Sequence, residues 1–179
     1  MGPSSRSEPH LGLGTSQSNI QATCFTLWCR PTSSHEDFQP VKLEKVGFAD
    51  ENGVEGIAVL ASVSDGQKKL YIRAFSGEVA THIDRFSRGD RSSLPSIYNV
   101  VEDLAERNGL HLTRVEIYSS NDVLRGDIYL DSRNGQITLH GYRASDCVAL
   151  AALYDVPILV QSSLLTPENS GGRGTESAD

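Results

Sequence analysis

The chain has 179 residues and a formal net charge of -7, enough for one ordinary domain with tails and too little for two. An acidic chain cannot hold a polyanion by its overall field, because counterion release from basic contacts drives most nucleic-acid affinity; a local basic patch or a bridging cation is needed. No run reaches the roughly 18 apolar residues of a membrane helix, and three cysteines, Cys24, Cys29 and Cys147, are too few and too scattered for a disulfide framework.

Residues 1–40 are rich in Ser, Thr, Gly, Pro and Gln. They bury too little to offset their ordering entropy, so this segment is expected to be disordered. It has no apolar run behind a basic start, which argues against a secretory signal. The expected location is the cytoplasm, with nucleus and organelles left open. One apolar island, Cys24-Phe-Thr-Leu-Trp-Cys29, lacks a second Cys or His pair at zinc spacing and reads as an extra strand or docking segment.

From Val41 the periodicity becomes regular. Val41 to Val46 alternates as a half-buried strand, Gly56 to Val63 reads as a buried strand, and Asp65-Gly66 turns the chain into Leu70 to Phe75. Ser76 caps a helix that carries Glu78 in its first turn and runs to about Phe86. A second helix begins near Pro95, with Ile97, Val100, Val101 and Leu104 at helical spacing, and ends at Asn108-Gly109. Strands follow at 112–118, 124–130 and 136–140, then a helix from Ser145 to about Tyr154 and a strand at 156–160. The order β-β-β-α-α-β-β-β-α-β predicts one α+β domain over residues 41–165, with a mixed or antiparallel sheet and three helices. Residues 166–179 are polar and Gly-rich and are expected to be a disordered tail.

The second half of this pattern carries a resemblance. Pro95-Ser-Ile-Tyr-Asn-Val-Val101, the strand at 112–117, Arg143-Ala-Ser-Asp146 leading into Val148-Ala-Leu-Ala151, and Val156-Pro-Ile-Leu-Val160 together resemble the bifunctional nuclease (BFN) domain family. That family shows Arg-Pro-Ser-Asp-Ala-Ile-Ala-Leu-Ala, then a Pro-Ile-x-Val strand. Leu70 to Glu78 is similar to the family's Leu-Pro-Ile-Trp-Ile-Gly-x-x-Glu segment. The departures touch the chemistry. Where members often carry Thr-His-Asp the chain has Ser96-Ile97-Tyr98, closer to the plant branch, while Gly141 and Ala144 stand at the family's Asp and Pro. Each absent carboxylate removes a candidate ligand for a divalent cation.

The resemblance implies a nuclease acting on DNA or RNA by cation-assisted phosphodiester hydrolysis, without an organic cofactor. The site residues it implies are Arg143, Ser145, Asp146 and Glu78, with Asp146 and Glu78 as ligands to Mg2+ or Mn2+. The residue types agree with that chemistry: N–H groups at a helix start favour anions, and the Arg fork binds phosphate through two hydrogen bonds. The structural alternative makes Ser145 an N-cap, Asp146 a partner of the positive helix end, Arg143 half of an ion pair and Glu78 a first-turn capping residue. His140 is a further acid or base candidate. His82 reads as a surface residue and Tyr98 as the anchor of its helix. Cys147, in a helix apolar almost all round, reads as a small core residue, that helix being covered by the core or by a subunit contact. The basic loop Arg85 to Arg91 reads as a solvated loop rather than a nucleic-acid contact. The competing function is a non-catalytic binding module or homo-oligomeric assembly on the same fold.

Overall fold

The computed structural model describes residues 37–167. They form β1 (Phe38–Phe48), β2 (Glu55–Ser62), β3 (Lys68–Ser76), α1 (Gly77–Ser87), α2 (Ile97–Arg107), β4 (His111–Ser120), β5 (Val123–Ser132), β6 (Gly135–Arg143), α3 (Ala144–Tyr154), β7 (Ile158–Gln161) and, after one 3-10 turn, the two-residue β8 (Thr166–Pro167). The order expected from periodicity is therefore present in an α+β domain. Two differences stand out: β1 begins at Phe38, inside the stretch expected to be disordered, and β8 was not foreseen. No described helix is long and apolar enough to cross a membrane.

The strands form one mixed sheet in the order β6-β5-β4-β7-β1-β2-β3-β8. Every neighbouring pair is antiparallel except β4 and β7, where Val115 lies opposite Ile158 and Ile117 opposite Val160. Local chemistry sets the turns. Asp50 accepts hydrogen bonds from the N–H groups of Asn52, Val54 and Glu55, which closes the β1–β2 connection. Asn121 and Asp122 both have positive φ, the geometry of a two-residue hairpin turn, and join β4 to β5. Ser76 caps α1 by accepting from the Glu78 N–H.

The core lies between one sheet face and the helices. Leu60, Val115, Ile117 and Val160 from the sheet, Ile83 from α1, and Val148 and Leu153 from α3 are all fully buried. Helix α3 explains its own composition: Cys147, Val148, Ala149, Ala151 and Leu153 are buried within this chain. Burial of the Cys147 thiol pushes its pKa up to about 12, so it is a packing residue.

Helix α2 departs from the pattern. Its apolar stripe, Ile97, Val100, Val101 and Leu104, is exposed, and the residues it buries are Tyr98 and Ala105.

Candidate functional site

A cleft of about 780 Å3 opens between the start of α1, the start of α2 and the entry to α3. Glu78, His82, Tyr98, Arg143 and Asp146 line it, over an apolar wall that includes Val101, Ile128, Leu139 and Leu150. Three of the four residues predicted from sequence thus meet in one place. The fourth, Ser145, is buried and is not among the lining residues. It is also not the N-cap: α3 begins at Ala144, with Arg143 in the capping position. The chain is still extended at Arg143, so the capping position lies two residues earlier than the Ser-Asp pair suggested.

At the centre, Arg143 Nε donates to Asp146 Oδ2 at 2.7 Å and a terminal Arg143 nitrogen donates to Asp146 Oδ1 at 3.0 Å. This fork holds the Arg143 guanidinium above its ordinary pKa, so it stays charged. Tyr98 donates its hydroxyl to Asp146 Oδ1 at 2.8 Å. Burial first, then this hydrogen bond and the Asp146 charge, raise the Tyr98 pKa well above that of a free phenol. Tyr98 therefore anchors α2 and also completes the site. Asp146 is a first-turn carboxylate, as expected for the positive end of α3.

Two further groups come from α1. Glu78 is exposed at the cleft, and one of its carboxylate oxygens lies 3.8 Å from His82 Nε2. His82 is buried, not the surface residue its sequence position suggested. Its ring stacks on Phe86 at 5.7 Å and meets Tyr98 edge-on at 5.6 Å, and its Nδ1 has no hydrogen-bond partner among the described residues. The sequence reading missed it; the four-residue spacing from Glu78, which puts both on one helix face, is the signal that could have found it.

His140 does not join this cleft. Alternation along β5 turns Gly126 and Ile128 toward α3 and Asp127 to the opposite sheet face. There Asp127, buried, accepts from Tyr118 Oη at 2.9 Å and the Gly141 N–H at 3.0 Å, and pairs with His140 Nδ1 at 2.7 Å. Gly141 has φ +77°, which favours glycine, and sits in an irregularity of the β5–β6 register just before Arg143. Asp127 therefore fixes the bend that leads β6 into the site, a role the sequence did not reveal.

Two arginines of the basic loop, Arg85 and Arg88, are tied up internally. Arg85 donates to Asp90, Ser93 and the Leu94 carbonyl, and Arg88 pairs with Asp84. As for a cation, no three His, Cys, Asp or Glu side chains among the described residues are grouped so as to hold one. In the cleft, Glu78 and Asp146 are the carboxylates, and both Asp146 oxygens already accept from Arg143. This donor set does not make a metal cage by itself.

A mixed eight-stranded α+β domain with an arginine–carboxylate cleft at a helix entry is the class defined so far. The sequence model of the bifunctional nuclease domain matches residues 59–170, and the chain belongs to the bifunctional nuclease domain family. No curated protein matches it.

Proposed function

We propose that the chain is a nuclease that hydrolyses phosphodiester bonds of DNA or RNA in the Glu78–His82–Tyr98–Arg143–Asp146 cleft. The observation that carries this reading is the convergence of those five side chains in one cleft of a chain belonging to a nuclease family. Arg143 presents a solvent-facing, permanently charged guanidinium, and Asp146 fixes its plane. It would take the bridging phosphate, assisted by the partial positive charge at the start of α3.

Hydrolysis adds water across the P–O bond: the water oxygen bonds to phosphorus as the bond from phosphorus to the leaving oxygen breaks, one water proton goes to a base, and the leaving oxygen takes a proton from solvent. Glu78, with His82 behind it, is the base in this reading. Tyr98 holds Asp146, and through it Arg143, in place. Mg2+ or Mn2+ is tested as a separate arm, because the carboxylates on the chain do not by themselves define an ion site. A cytoplasmic location belongs to the same proposal and is read by cell fractionation.

The test is cleavage of single- and double-stranded DNA and RNA by purified protein, with magnesium, manganese or chelator. Loss of cleavage in a folded Arg143→Ala variant supports the site. Unchanged cleavage in that variant removes it. A second reading, an assembly module, rests on the exposed face of α2.

A further inference from the structure

The cleft that holds Arg143 is only partly polar. Leu94, Pro95 and Ile97 from the entry to α2, and Leu139 and Tyr142 from β6, line it as well. Leu94 is 61%, Ile97 69% and Tyr142 46% exposed, although each lines a concave site. A single exposed apolar side chain is ordinary. Several of them around one fixed guanidinium make a site with two chemistries, one for an anion and one for a flat apolar group. Tyr142 stands out among them. Its partner across the ladder on β5 is Gly126, which sets no side chain opposite the ring. None can be added there without displacing α3, since a Cβ on Gly126 would lie 2.5 Å from Cys147 Sγ.

We propose that Tyr142 is a base-stacking residue: with Ile97 and Leu139 it receives an unpaired nucleobase while Arg143 takes the phosphate of the same nucleotide, so the substrate class is single-stranded nucleic acid. This inference rests on the nuclease reading of the cleft and names its substrate. Position and size agree with it. Tyr142 and Arg143 are consecutive, so their Cα atoms are about 3.8 Å apart, and both line the cleft. A nucleotide likewise carries its base and its phosphate on one sugar. The cleft, about 780 Å3, is of the size that takes a small ligand. Charge argues the same way. Arg143 is the one Arg or Lys among the described residues that line the cleft, and the chain carries a net charge of -7. Phosphate contacts alone therefore give little affinity. A base stacked on an aromatic ring holds a strand without regard to net charge. In a duplex the base faces are covered by their neighbours, and only an unpaired base can lie on a protein ring.

The experiment is fluorescence anisotropy on the full chain in chelator, with a short labelled oligonucleotide, the same strand made abasic, and its duplex. The strands are run as DNA and as RNA, and the sugar that binds more tightly is scored. The base-bearing single strand should bind tightest, with the abasic strand and the duplex roughly tenfold or more weaker, as loss of one stacked base implies. Tyr142→Ala, checked for fold by circular dichroism, should weaken binding of the base-bearing strand by a similar factor, and Tyr142→Phe should keep it. Equal binding of base-bearing and abasic strands, or unchanged affinity in Tyr142→Ala, overturns the stacking role and leaves the nuclease reading standing. A duplex held as tightly as the single strand overturns the substrate class. No binding of any strand, or binding that Arg143→Ala does not weaken, removes the cleft from the nuclease reading, and this inference falls with it.

Discussion

Tyr98 on α2 reaches Asp146 on α3, 48 residues further along the chain, with a 2.8 Å hydrogen bond. That contact ties a helix that buries few of its own residues to one that is nearly all core. Replacing Tyr98 with Phe removes the bond and keeps the ring. We expect a loss of about 1 kcal/mol in urea unfolding. Faster amide exchange in α2 than in α1 should accompany it. Asp146→Ala strands both the Tyr98 hydroxyl and Arg143, so its cost should be larger, about 1–3 kcal/mol.

The close approach of β5 and α3 gives a second prediction. A Cβ built on Gly126 would lie 2.5 Å from Cys147 Sγ and 3.0 Å from its Cβ. Gly126→Ala should therefore destabilise the domain by about 1–3 kcal/mol through overpacking. Cys147→Ala added to it should recover part of the loss, because it removes the closer atom. Thermal unfolding of the two variants checks both the sign and the rescue.

These two contacts also show what the sequence made legible. The alternation of β1 to β3, the Ser76 cap and the Arg143-Ala-Ser-Asp146 helix entry depend on neighbours within a few residues, and local pattern is enough to read them. Glu78, Arg143 and Asp146 were named because the family resemblance implies them, and their residue types at helix starts agree with it. Asp127 and the partner of Tyr98 were not, because each acquires its role from a residue in another element or on an adjacent strand; His82 was not, because its burial depends on Tyr98 packing over it from α2. The stripe of α2 misled for a related reason: periodicity says that a face packs, and does not say against what. Ser145 fell one residue inside its helix because extended backbone at Arg143 and helical backbone at Ala144 are not distinguished by residue type.

Ala74 has φ 56° near the end of β3, where a side chain is strained. Glycine there relieves the strain but gives up some unfolded-state restriction. We expect Ala74→Gly to stabilise the domain by up to about 1 kcal/mol, read as a higher urea midpoint. Destabilisation would mean that the methyl group packs better than its backbone position implies.

Alkaline pH should unfold the domain through its tyrosines. Burial, then the Glu116 hydrogen bond and charge, push Tyr129 up to about 12; burial, then the charges of Glu102, Glu106 and Asp103, push Tyr154 up to about 12. Tyr98 moves in the same direction. A raised folded pKa means that the fold favours the neutral phenol. This contribution is therefore complete below the unfolded value of about 10 and is lost as pH rises from there to about 12. Stability against urea should fall across that window, with tyrosinate absorbance rising late in the folded chain. Tyrosinate formation that is complete by about pH 11 in folded protein would contradict the assignment.

The most direct measurement is phosphodiester cleavage by the purified full chain on labelled DNA and RNA, run beside Arg143→Ala and Asp146→Ala with magnesium, manganese or chelator. The account predicts cleavage by the wild type and its loss in both variants, with the circular dichroism of Arg143→Ala unchanged. Absence of cleavage by folded wild-type protein under every condition, or equal cleavage by the variants, would contradict the cleft as a nuclease site.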